Sequence, residues 1–442
     1  MARGTTLGYR ASKFVRRHWI GVSAACVTFL VLVGGIAGTT WQARIAEENS
    51  RAARQVANFW MGFFELADPL DPAAGQVGAV RRSRKPSLTV EQMLTQGSGR
   101  LPALPRHPLL EAEMCYRLGT YCNQWLQYDD ALPLIEKALA IYRREVGDNH
   151  PDTLNARTSL GFVLMELGKW AEARTHLVAV VEASARVRGR SHRDTLSAVD
   201  SLARVQRRLG QRQEAAARFR EALAASRDSL GEQNPLTLRI MTNLAGLLEE
   251  ERRLPEAESL LRRAVELRRQ GDGPEHAETL KAVNNLASVL SGQGKHAECS
   301  ALLKETFEGC RRSLPEDDPL TLTVGNNLAR SLLLLDHPDE AEPILEYVVE
   351  VSASVFPRGD PNPALFRSNY GDCLTRLRRY EEAERHLKAA CSVLTKRFSP
   401  GHAATRKTLQ RLVTLYEQSG EEEKAREYRR RLAEAGGSGP PQ

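Results

Sequence analysis

Catalytic signatures are missing from this 442-residue chain. It has no His-Glu-x-x-His zinc motif and no Gly-x-Ser-x-Gly nucleophile turn, which removes the commonest hydrolase readings. Gly292-x-Gly294-Lys295 lacks the upstream glycine of a phosphate-cradling loop. The seven cysteines form no Cys-x-x-Cys pair and no zinc-ligand spacing. They fall mostly at apolar helix positions, so buried free thiols are expected, with no metal and no cofactor. A global nucleic-acid signal is also missing. The net charge of +7 belongs to the segment before Pro108, with 14 Lys and Arg against 6 Asp and Glu. The remainder holds 48 against 49, so it has no broad basic face.

What is present is a repeat. His150-Pro151-Asp152-Thr153-Leu154 returns every 42 residues as HRDTL at His192, NPLTL at Asn234, HAETL at His276 and DPLTL at Asp318. Degenerate copies start at Asp360 and His402. One column reads Leu118, Leu160, Leu202, Leu244, Leu286, Leu328, Tyr370 and Leu412. The next reads Gly119, Gly161, Ala203, Ala245, Ala287, Ala329, Gly371 and Val413. A third reads Ala131, Ala173, Ala215, Ala257, Cys299, Ala341, Ala383 and Ala425. Uninterrupted spacing marks an array.

Within a unit, Leu154, Leu160, Val163 and Leu164 give a first helix one apolar stripe. A turn at Gly168, repeated at Gly210 and Gly294, stops it. A second helix, roughly residues 171–187, carries Leu177, Val180 and Val181. Gly161 and Ala173 sit where two helices must approach closely. One hairpin cannot bury both its faces, so the units must stack.

The layout resembles the tetratricopeptide repeat, in its 42-residue kinesin-light-chain type, over eight units from 108 to 435. The resemblance implies an all-α, right-handed solenoid whose first helices line a concave, non-enzymatic protein-binding groove. His192-Arg193-Asp194 matches a kinase catalytic triplet only superficially, because it occupies the frame of His150-Pro151-Asp152. The acidic column Asp130, Glu172, Glu214, Glu256, Glu298, Glu340 and Glu382 falls near second-helix starts, where carboxylates favour the helix dipole.

The candidate binding residues lie on first helices. Asn243, Asn285, Asn327 and Asn369 share a column, with Asn284 and Asn326 just before two of them. In similar repeats an asparagine here bonds the backbone of a bound peptide, since an amide both donates and accepts. The alternative is that these amides bond a neighbouring helix and hold repeat spacing. Arg204, Arg207 and Arg208 stand ready for acidic groups of a partner, or for Glu249, Glu250 and Glu251 of the next unit. Arg117, Ser159, Ser201 and Arg411 replace the asparagine in other units, which confines the expected peptide to units four to seven.

The segment before the array reads differently. Residues 1–18 form a basic tail, and Trp19–Trp41 carries no charge. That length reaches ~34 Å as a helix, enough for a membrane span. A cleaved signal peptide or a buried helix are the alternatives. More Lys and Arg precede the run than follow it, so a single-pass protein is expected, with its N-terminus cytoplasmic and the array extracytoplasmic. Gly34 and Gly38 offer a face for a homodimer. Residues 42–66 read as a helical stalk, 67–107 as a linker with a capping helix, and 436–442 as a disordered tail. Stretches across 9–107 resemble the region following the kinase domain in large bacterial Hanks-type serine/threonine kinases, but no kinase domain precedes them here. That resemblance implies a sensor half acting with a separately encoded kinase, as the alternative to a membrane-anchored interaction scaffold.

Overall fold

The computed structural model describes residues 107–437, apart from 126, 357 and 358, together with isolated positions between Thr39 and Arg54. It is all α-helical among the described residues, and sixteen helices follow one another from Pro108 to Gly437, alternating as the first and second helices of eight repeats. The first helices are α1 (Pro108–Gln124), α3 (Pro151–Glu166), α5 (Arg193–Arg208), α7 (Pro235–Glu250), α9 (Ala277–Gly292), α11 (Pro319–Leu334), α13 (Asn362–Arg376) and α15 (Ala403–Ser419). The second helices are α2 (Tyr128–Val146), α4 (Trp170–Arg188), α6 (Arg212–Leu230), α8 (Leu254–Gly271), α10 (His296–Ser313), α12 (Pro338–Val355), α14 (Tyr380–Arg397) and α16 (Glu422–Gly437). The chain divides into two compact units, Met1–His176 and Leu177–Gln442.

The signature residues explain each helix start. His150, His192, His276 and His402 accept the backbone N–H two residues on through Nδ1, at 3.2–3.3 Å. Asn234 and Asp318 do the same through Oδ1, at 3.0 and 2.7 Å. These are N-caps, and each supplies a partner to a backbone donor that the first helical turn leaves open. Thr153, Thr195 and Thr237 add a bond from Oγ1 to the carbonyls of Gly147, Gly189 and Gly231. The hairpin turn needs a left-handed residue. Gly168, Gly210, Gly294 and Gly420 supply it in four units, whereas Arg252, Asp336 and Arg378 adopt it at φ 61–63° in three.

In the first unit α2 packs on α1 and α3. Ala112, Cys115, Ala131, Ile135 and Ala138 are fully buried there. A Cβ on Gly119 would stand 2.7 Å from Ile135 Cγ1, so only glycine permits that approach. In the second unit one continuous hydrophobic cluster runs from Leu196 to Ala435. A Cβ on Gly371 would lie 2.5 Å from Leu387 Cγ, which explains the small-residue column there. Six cysteines are free and buried. Burial pushes the thiols of Cys122 and Cys310 up to about 11. Cys26 lies outside the described residues.

One expectation is corrected. No helix among the described residues is long and apolar enough to cross a membrane. The array helices are 15–19 residues long and carry polar or charged side chains among their apolar ones, as Arg212–Leu230 does with Arg218, Arg220 and Glu221 at its middle, so they fall short of the ~20 apolar residues a span needs. The transmembrane helix expected at Trp19–Trp41, and the single-pass location built on it, are therefore not part of this fold. Residues 19–38 of that stretch lie outside the described residues, as do Gly34 and Gly38 and most of the stalk and linker.

Candidate functional site

A polar ladder joins consecutive first helices at an offset of 43 residues. Asn243 Nδ2 donates to Asp200 Oδ1 at 2.8 Å, and Asn327 Nδ2 to Asn284 Oδ1 at 3.0 Å. Asn369 Nδ2 donates to Asn326 Oδ1 at 2.6 Å, and Arg411 Nη1 to Ser368 Oγ at 2.8 Å. In the first unit, Tyr116 and Ser159 hydroxyls meet at 3.3 Å in the same register. One rung stays open. Thr242, the expected partner of Asn285, donates back to the Leu238 carbonyl at 2.9 Å. Asn285 is half-buried, and among the described residues its amide has no hydrogen-bond partner.

The arginines divide similarly. Arg207 pairs with Glu250 one repeat on at 2.7 Å. Arg204 is half-buried and attracts the Asp200 carboxylate, while Arg208 is exposed. Glu249 accepts from the Ser288 hydroxyl at 2.7 Å, and Glu251 faces Arg253 at 3.6 Å. The acidic column lies in the first turns of second helices. His192 is an N-cap, and Asp194 pairs with Arg188, so that triplet closes a loop.

Asp200 is wholly buried, with Arg239 Nε 3.0 Å from Oδ2. Burial raises its carboxyl above the usual range, although Arg239, Asn243 and Arg204 oppose it. A folded pKa above the unfolded value means that the unfolded chain sheds this proton first. Its contribution to stability is thus fully present below the unfolded value and declines as pH rises through the folded one. Asp200→Asn removes that decline. Urea midpoints of both proteins across the acid range are expected to diverge in the variant's favour as pH rises. A pH-independent difference would refute this account of Asp200.

Three successive first helices, α11, α13 and α15, enclose a cleft of about 370 Å3. Asn326, Asn327, Asn369, Ser368 and Thr408 supply its polar wall, and Leu365 and Phe366 an apolar one. Its charged residues are Arg330, Lys407 and Arg411. Arg411 is fixed by Ser368, by Asn369 Oδ1 at 2.8 Å and by Asp372 at 3.5 Å. Burial, then Arg411 and Arg330, hold the Lys407 ammonium down at about 8, with Asp372 opposing.

Of the nine expected site residues, the cleft brings together Asn326, Asn327 and Asn369. Asn243, Asn284, Asn285, Arg204, Arg207 and Arg208 lie on α5, α7 and α9, outside it. The sequence reading passed over Arg330 and Lys407, and took Arg411 only as a loss of the column asparagine. The signal was available: Lys407 and Leu365 stand four residues before Arg411 and Asn369, hence on the same helical face.

Tetratricopeptide repeat models match residues 152–228, 217–270, 236–296, 275–353 and 364–435, and a further tetratricopeptide repeat model matches 127–152. No curated protein matches the chain. Among solved structures, a putative kinesin light chain repeat protein of Podosopora anserina is 26% identical, covering 46% of this chain and 97% of its own, with a TM-score of 0.41. BtubC of P. vanneervenii is 17% identical over 51% of this chain and 91% of its own, at 0.44. The apo quorum sensor NprR of B. thuringiensis is 13% identical over 87% of this chain and 99% of its own, at 0.52.

Proposed function

The chain belongs to the tetratricopeptide repeat family, and we propose that it is an interaction scaffold binding an extended protein segment along its first helices from repeat five to repeat eight. The observation that carries this reading is the cleft across α11, α13 and α15, where amides, hydroxyls and an apolar wall from three repeats face one space. Such a mixture suits a peptide backbone and its side chains together. Asn285 extends the surface by one repeat with an amide that no neighbouring helix consumes. No group of three metal-ligating side chains converges among the described residues. Action with a separately encoded kinase, and dimerisation through the N-terminal segment, gain nothing from the fold or from the similar proteins.

The test starts from random peptides of about twelve residues displayed on phage and selected on the full-length chain. Selected peptides are expected to lose about tenfold in affinity on Asn285→Ala, the worth of about one hydrogen bond, with the melting temperature unchanged. Peptides that bind equally well to Asn285→Ala and Arg330→Ala proteins would place the binding surface elsewhere and overturn the reading.

A further inference from the structure

We infer that Arg330, Lys407 and Arg411 form a subsite for a phosphate monoester carried by the segment in the groove. This rests on the groove reading above and adds the chemistry of one of its ligand groups.

The argument begins with charge that the fold leaves uncompensated. All charged side chains lining the cleft are cations, and no carboxylate joins them. Several other arginines of this unit face acids, as Arg207 does Glu250, Arg262 does Glu258 and Arg379 does Glu382. Arg330 and Lys407 have no ion-pair partner among the described residues. Arg330 reaches only Asn327 Oδ1, at 3.5 Å. Arg411 is a charge held in place by its bonds to Ser368 and Asn369, whereas Lys407 has no hydrogen-bond partner among the described residues and Arg330 has Asn327 alone, so these two bring the freer donors.

The ligand class follows from that count. Three cations set against Asp372, which stands behind Arg411 at 3.5 Å and faces Arg376 at 3.8 Å, leave about two positive charges. A phosphate monoester carries about −1.5 to −2 and presents three acceptor oxygens. A single carboxylate would leave one cation of the cleft without a counter-charge. The lowered Lys407 ammonium is consistent with the same geometry: burial lowers it first, Arg411 on its own helix and Arg330 on α11 add to that, and Asp372 on α13 opposes them. A dianion in the cleft would reverse that balance and draw a proton onto Lys407.

The test titrates the full-length chain with N-acetyl-phosphoserine amide, and separately with N-acetyl-aspartate amide, by calorimetry in buffers of differing ionisation enthalpy. Saturable binding of the phosphoserine compound is expected, strongest between about pH 6, where the phosphate gains its second charge, and about pH 8, where Lys407 loses its own. Proton uptake should accompany binding near the upper limit. Lys407→Met and Arg330→Gln should each weaken it about tenfold or more, whereas Arg406→Gln, exposed beside Lys407 but outside the cleft lining, should change it less than about twofold. Absence of saturable binding, equal binding by the Lys407→Met protein, or equal preference for the aspartate compound would each overturn the assignment. So would affinity that holds undiminished down to about pH 5, since carboxylates titrate near 4. Peptides that depend on Asn285 but show no preference for a phosphorylated residue would overturn this subsite alone and leave the groove reading standing.

Discussion

Phe219→Ala will lower the stability of the Leu177–Gln442 unit by about 3–5 kcal/mol. Phe219 is fully buried and, with Tyr416, among the largest side chains withdrawn from water in the array. It sits on α6, which packs against α5 on one side and α7 on the other. Truncation therefore removes apolar contact within its own hairpin and across the junction to the next. In a stacked array each repeat is stabilised by its neighbours, so a cavity at an interior junction also weakens the coupling that makes unfolding cooperative. Urea unfolding followed by circular dichroism should show a lower midpoint and a shallower transition, because the two sides of the lesion begin to melt separately. A loss below about 1 kcal/mol with the slope unchanged would mean that the junction collapses around the gap.

Asn369→Leu is expected to cost about 3 kcal/mol, because it strands two buried polar groups at once. Asn326 loses its donor at 2.6 Å, and the buried Arg411 guanidinium loses an acceptor at 2.8 Å. Leucine keeps the volume but can satisfy neither. Asn285→Leu, one column member with no partner to strand, should change stability by less than about 1 kcal/mol. The pair is measured by chemical denaturation of the two variants side by side. Equal losses at Asn369 and Asn285 would show that the ladder contributes nothing specific and that the column acts only by packing.

The two substitutions separate meanings that one column carries in the sequence. Asn243, Asn327 and Asn369 are joined to the preceding repeat by hydrogen bonds, and Asn285 is open. Arg207 likewise spends its charge on Glu250, whereas Arg330 and Lys407 spend theirs on nothing in the described chain.

The helical hairpins, their 42-residue period, the close approach at Gly371 and the caps at His150 and its counterparts were determined by the sequence alone. Each depends on residues within one or two turns of helix or within one hairpin, so local periodicity and side-chain size suffice to encode it. The left-handed turns at Arg252, Asp336 and Arg378 were legible only through the frame, since no glycine marks them. Only the tertiary structure decided which amides are closed and which cations lack a counter-charge. Those contacts join residues 42 or 43 positions apart, and they depend on the rotation and rise from one repeat to the next. That displacement sums the packing angles of whole helices, each set by many side chains together. A one-residue offset then aims Asn327 at Asn284 and leaves Asn285 facing a threonine that has turned back on its own helix.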